Sequence, residues 1–191
     1  YSDKKLRTVD SKSGKLRSAL EDAGTYTNGK YIYVNSWDAL RQYDADGKLV
    51  VERKLDADKR ILQAFLGEKY IYIICGANEG DSYQQTLYVL DAADVRKAVD
   101  LGELKEKSGK GAFIDKDKHW AEHRKITTPD VNLYYIGSCQ REKVKDGEVS
   151  YSLTIKDASK GYFFNPVMVN KQTGERVHQE ESDLHDGKLL A

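Results

Sequence analysis

One hairpin pattern, met four times, limits what this chain can fold into more than any other feature. The four stretches are "KLRTVDSKSGKLRSALE" from Lys5, "ALRQYDADGKLVVERKL" from Ala39, "TLYVLDAADVRKAVDLGEL" from Thr86 and "PVMVNKQTGERVHQEE" from Pro166. Each sets an alternating strand, an Asp or Asn, a short polar turn and a second strand, which predicts hairpins near residues 5–21, 39–55, 86–104 and 166–181. Three of the turns carry glycine, at Gly14, Gly47 and Gly174. The acidic or amide side chain bonds the backbone two residues on, while glycine takes the positive φ of a tight return. A recurrence of this size means stacked units that bury one another's faces.

Ahead of the later hairpins lie aromatic, β-branched strands: "NGKYIYVNSW" from Asn28, "GEKYIYIICG" from Gly67 and, less regularly, "NLYYIGSC" from Asn132 with "KGYFFNPV" from Lys160. Period two puts Tyr31, Tyr33 and Asn35 on one face and Ile32 and Val34 on the other; Tyr70, Tyr72 and Ile74 oppose Ile71 and Ile73 likewise. Strands apolar on both faces need a sheet packed on each side. Weaker strand patterns, "ALEDAGTYT" and "RILQAFLG", precede them, so a unit of three or four short antiparallel strands repeats. That is the grammar of a β-propeller blade.

The expected fold is therefore all-β, a propeller of about four blades or a four-blade segment of a larger one, spanning 1–191 as a single domain. Thirteen Tyr, 15 Gly and a single Met agree with a β-rich, turn-rich chain. Lys plus Arg and Asp plus Glu both number 31, so no global field draws in nucleic acid. No apolar run approaches the roughly 18 residues of a membrane span. The chain does not begin with Met, which points to a removed N-terminal piece, whether a signal peptide, a lipoprotein anchor region, a preceding domain or a tag; the expected location is extracytoplasmic, that is periplasmic, cell-surface or secreted. Cys75 and Cys139 are expected as two free buried thiols, one disulfide being the alternative.

The first hairpin resembles the repeat of pyrroloquinoline-quinone-type propellers and their non-enzymatic relatives, approximately Gly-x-Leu-x-Ala-Leu-Asp-x-x-Thr-Gly-Lys. The matching positions are Leu6, Val9, Asp10, Ser13, Gly14 and Lys15; then Leu40, Tyr43, Asp44, Gly47 and Lys48; and finally Val169, Asn170, Thr173, Gly174 and Glu175. The resemblance implies a propeller. Where the quinoprotein repeat commonly follows its Gly-Lys with Trp, this chain has Leu16, Leu49 and Arg176, and its two tryptophans, Trp37 and Trp120, lie elsewhere. Read in a circle, the C-terminal "DGKLLA" and the first hairpin make a complete blade, the closure by which propellers remove sheet edges. Otherwise further blades come from the same or another chain.

The third unit is stretched by a charge-dense segment, about 105–128, read as an insertion with a short surface helix over Asp117–Lys125. On such a helix His119 and His123 share a face and form a candidate metal pair, though the charged flanks equally suit a solvated helix. The "SGKGAF" and "DADG" stretches lack the spacing of a phosphate loop and of a calcium loop. The candidate ligand-binding residues are those after the aromatic strands: Asn35, Trp37 and Asp38 in one unit, and Asn78, Glu79, Asp81 and Tyr83 in the next. Equivalent places in their blades put them on one face of the ring. The functional expectation is a non-enzymatic propeller that binds a protein or glycan partner or scaffolds an assembly. The alternative is an enzyme or enzyme subunit, a hydrolase, lyase or quinoprotein-like dehydrogenase, with its site on one face; the cofactor is unspecified.

Overall fold

The computed structural model describes residues 5–9, 16–21, 24–36, 38–56, 59–77, 84–109, 123–135, 137–143, 147–155 and 166–177. Among these, sixteen strands and no helix are found. β1 (Lys5–Val9) and β2 (Leu16–Glu21) pair as an antiparallel hairpin, Leu6 opposite Leu20. β3 (Gly24–Thr27), β4 (Ile32–Ser36), β5 (Ala39–Tyr43) and β6 (Leu49–Lys54) follow as a four-stranded antiparallel meander, the first sheet.

β7 (Lys59–Leu66), β8 (Tyr70–Ala77), β9 (Gln84–Asp91) and β10 (Asp94–Ala98) take the same path in the second sheet. The third sheet consists of β11 (Lys105–Gly109), β12 (His123–Thr127), β13 (Val131–Tyr135) and β16 (Val167–Asn170), in that order. Between β13 and β16 the chain leaves to make a hairpin, β14 (Gly137–Lys143) and β15 (Val149–Ile155), and β15 pairs along β9 with Tyr151 opposite Leu87.

The two-sided apolar character of β8 is resolved by layering. Ile71, Ile73 and Cys75 face the first sheet, where they pack with Tyr33, Leu40, Ile61, Ala64, Tyr88, Leu90 and Val95. Tyr72 and Ile74 face the third sheet and meet Ile126, Leu133, Tyr135, Leu153 and Met168. The second sheet is thus sandwiched, its strands apolar on both faces for the reason parallel-sheet cores are. In β7 a bulge between Ile61 and Gln63 brings Ile61 and Ala64, three residues apart, to the same face.

The turn chemistry follows the sequence. Asp44 Oδ1 accepts from the amides of Asp46 and Lys48, Asp91 Oδ1 from Ala93, and Asn170 Oδ1 from Gln172. Gly47 and Gly174 hold φ of 79° and 73°. Gly14 lies outside the described residues.

Two expectations change. The described ends of the charge-dense segment over 105–128 are strands: β11 and β12 belong to the third sheet, with Glu106 opposite Ile126. Charged residues suit β11 because it is an edge strand with a wet side. The helix expected over 117–125 gives way at 123–125 to β12, whose Ile126 is drawn into the core. The hairpin at 86–104 is also altered. β10 meets β9 only at Asp94–Asp91 and Ala98–Leu90, and β15 takes the rest of that edge.

Candidate functional site

Each unit has a first turn, a middle connection and a last turn, and the polar side chains sort by these. The first turns share one bond: Asn28 N–H to Tyr31 O, Gly67 N–H to Tyr70 O and Thr128 N–H to Val131 O, at 3.3, 2.8 and 3.0 Å. These three positions are equivalent in the repeat, which makes Tyr33 and Tyr72 equivalent too.

Both tyrosines reach from the middle of a strand into the next sheet's turns. The Tyr33 hydroxyl donates to Ala92 O and accepts from Asn28 Nδ2. The Tyr72 hydroxyl donates to Asp130 Oδ2 at 2.9 Å. Gln42, buried on β5, donates to Ala93 O and accepts from Val95 N–H. Lys171 adds Nζ to Thr128 O and its amide to Asp130 O. First and last turns of the three sheets are thereby stitched together at one end of the stack.

Antiparallel strands then send the three middle connections to the other end. They differ in size: residues 37–38 join β4 to β5, 78–83 join β8 to β9, and 136–166, containing β14 and β15, join β13 to β16. The described turns with repeated chemistry bond across to their neighbours, and the connections that differ most in length are those at the opposite ends of the strands.

Of the candidate residues there, Asn35 is not in a loop. It lies in β4 opposite Leu40, 2% exposed, because the strand continues through Ser36 and only two residues make the turn. Asp38 is exposed at that turn; its Oδ1 accepts from Ser36 Oγ at 3.0 Å, and Arg41 Nη1 donates to the same Ser36 oxygen. Arg41 Nε also binds Glu52 Oε2 at 3.1 Å, so one network runs from the turn along the outer side of the first sheet. Trp37, Asn78, Glu79, Asp81, Tyr83 and His119 lie outside the described residues. His123 opens β12, an extended strand, where the spacing of four that pairs imidazoles on a helix does not apply. Among the described residues no cluster of three His, Cys, Asp or Glu is placed to hold a metal.

Sequence reasoning passed over a second polar cluster, between the first two sheets. The ring of Tyr88 is clasped by the Arg53 guanidinium, 5.0 Å from its centroid, and by Lys59 Nζ at 5.8 Å. Arg53 pairs with Glu148 and donates to Arg96 O; Lys59 donates to the Tyr88 hydroxyl and to Asp56. Burial works against the Lys59 charge, but these two bonds outweigh it and hold its pKa above the ordinary value. Burial pushes the Tyr88 hydroxyl up, Lys59 pulling the other way. The signal for this cluster was available only as the period-two alternation of Tyr88 with Leu87 and Val89.

The remaining shifts have the same cause. Burial pushes the Cys75 thiol up to about 12, against the pull of Lys59 and Arg53. Cys139 is also pushed up to about 12, by burial and then by Glu106 and Glu103. Both cysteines are free, as expected. Cys75 faces the first sheet's core and Cys139 packs against the core on the other side of the second sheet, so their sulfurs point into different layers. Burial raises Tyr33 to about 12 and lifts Tyr72 and Tyr135 further. These groups are neutral at pH 7 and serve as packing and hydrogen-bonding parts of the layers.

Comparison with protein-family models, with curated proteins and with solved structures finds no match to this chain.

Proposed function

We propose that this chain is a propeller-type repeat module, closed by its own blades or completed by others, that binds a protein or glycan partner through the end where its middle connections emerge. The observation that carries the reading is the division between the two ends. Turns that repeat the same hydrogen bonds fasten the sheets together, whereas equivalent connections at the far end run from two residues to a whole hairpin. A rigid repeat that varies only at one rim is how repeat scaffolds carry recognition. Three successive antiparallel sheets, of four, six and four strands among the described residues, the second buried between its neighbours, support the comparison with blades. The step from such a scaffold to binding is fold-level analogy.

The test replaces residues 78–83 with a glycine–serine linker of equal length and compares it with the parent in a glycan array and a protein pull-down. A partner held by the parent and lost by the replacement is the expected result. Capture that ignores the replacement, or a parent that holds nothing reproducible in either format, overturns the reading.

A further inference from the structure

Among the described strands β11 is the edge of the third sheet, and its residues Lys105 to Ser108 are all exposed. The register assigns its two faces. Glu106 lies in line with Ile126, Leu133 and Met168, which are core, so Lys105 and Lys107 stand on the outward face. Lys107 is directly opposite Lys125, and Lys125 is directly opposite Tyr134, with its Nζ 5.6 Å from the ring centroid.

Like charges facing each other across a ladder destabilise it. None of Lys105, Lys107 and Lys125 has an ion pair among the described residues, while the one acid of β11, Glu106, is taken on the inner face by Arg124 at 2.7 Å. Among the described residues the outward face therefore holds three ammonium groups without an acid partner, beside a backbone edge that pairs with no described strand.

Lysines on an edge strand repel casual strand addition. The same arrangement admits a strand that brings the missing charge. We propose that β11 is a docking edge for an extended acidic segment of a protein partner, which adds as a further strand with Asp or Glu at alternate positions. Two acids at i and i+2 fall opposite Lys105 and Lys107, and the residue between them, opposite Glu106, is neutral or basic. Main-chain bonds hold the segment and the alternating charge selects it. A nucleobase is poorly served here, because Tyr134, the one aromatic ring on this face among the described residues, is already covered by Lys125. The inference takes from the functional reading only that the partner is a protein; its surface is a different one.

The probe is a fluorescent ten-residue peptide alternating Glu with Thr, titrated by anisotropy into the full chain, with amide hydrogen exchange read at 105–109. Binding that falls with salt, protection of the β11 amides, and at least about tenfold weaker binding of a peptide with the same residues in two blocks are expected. Lys107→Glu loses the peptide and gains one alternating Lys with Thr, a reversal that a misfolded variant does not show. The 78–83 replacement leaves the peptide affinity unchanged, so failure here and failure of the rim reading are separable. No binding overturns the proposal. So does equal binding of the block peptide or of a sulfated glycan, and so does Lys107-dependent self-association, which would give the edge to a second copy.

Discussion

Gly67 sits where the first turn of the second sheet presses on the first turn of the third. A Cβ built there overlaps Asp130 Oδ2 and lies 2.5 Å from Cγ, so in Gly67→Ala the carboxylate must swing away. Asp130 is a short side chain, and its displaced oxygen is the acceptor for Tyr72. The cost is therefore the lost bond more than overpacking. A hydrogen bond to an ionised acceptor contributes about 1.5–3 kcal/mol, and half-burial of Asp130 puts this one near 2. Alanine returns up to about 0.5 kcal/mol by restricting the unfolded chain. Gly67→Ala should then destabilise by about 1.5 kcal/mol and Asp130→Ala by about 2.

The decisive quantity is their coupling. With Asp130 already truncated, the alanine at 67 meets only the remaining Cβ, 3.1 Å away, and costs little, so the double variant should nearly match Asp130→Ala and the coupling should approach about 1.5 kcal/mol. Tyr72→Phe should couple with Gly67→Ala in the same way. Urea unfolding followed by intrinsic fluorescence measures all of these, midpoint shifts at constant slope giving the differences. Penalties that add to within about 0.5 kcal/mol would refute the shared Gly67–Asp130–Tyr72 contact and with it the stitching of the second sheet to the third.

Alkali should be the weak side of this fold. Tyr33 and both cysteines have pKa values raised by burial, so their contribution is complete below their unfolded values and fades as pH climbs from about 9 towards 12. Urea midpoints should hold near neutrality and drop above pH 9, with tyrosinate absorbance rising only as the chain unfolds; a midpoint that is flat to pH 11 would contradict the burial of these groups. Thiol labelling at pH 7.5 should leave Cys75 untouched in the native protein and modify both cysteines in urea, whereas quick native labelling of Cys75 would count against its place between the sheets. Gln42→Leu should cost about 1–3 kcal/mol in the same unfolding assay, since it strands Ala93 O and Val95 N–H in the interface; a change under about 0.5 kcal/mol would mean that water replaces the side chain. Gly47→Ala and Gly174→Ala should each lose about 1 kcal/mol because their φ is positive, and neutral variants would show that these turns relax without glycine.

The parts of the fold legible in the sequence are those decided by neighbours. Asp44, Asp91 and Asn170 cap their own turns, and the alternation in "KYIYIICG" is sufficient to say that β8 has a layer on each side. What escaped is decided at a distance. A segment as charged as Lys105–Gly109 looks like loop until its partner Ile126 is known to be in the core, because an edge strand needs only one dry side. Asn35, in a run otherwise apolar, looks like the first residue of a loop; only the two-residue turn after Ser36 keeps it in the ladder. Of the candidate rim residues, Asn35 is held in the ladder and is buried.

The displaced β10 shows how such long-range choices are made. Both β10 and β15 can reach the outer edge of β9, and their apolar supply differs. β15 alternates Val149, Tyr151 and Leu153 into the core shared with the third sheet, each at most 6% exposed. Burying side chains of that kind contributes about 1.5–3 kcal/mol apiece as an upper estimate. β10 offers Val95 to the opposite core, and its other face carries Asp94 and Arg96, which form an ion pair with each other in water. Laid fully along β9, those charges would enter the layer that holds Tyr72 and Leu87, at a cost no surface ion pair offsets. The last hairpin of the second unit therefore opens after its turn, and β10 moves against β5 and β6, where Val95 finds its core and its amide meets Gln42. A hairpin grown from the third unit fills the vacated edge. The irregularity adds a second tie between two units already joined at their turns, and the Tyr151 hydroxyl, bonded to Leu101 N–H and Gly102 O, secures the connecting segment that passes between them.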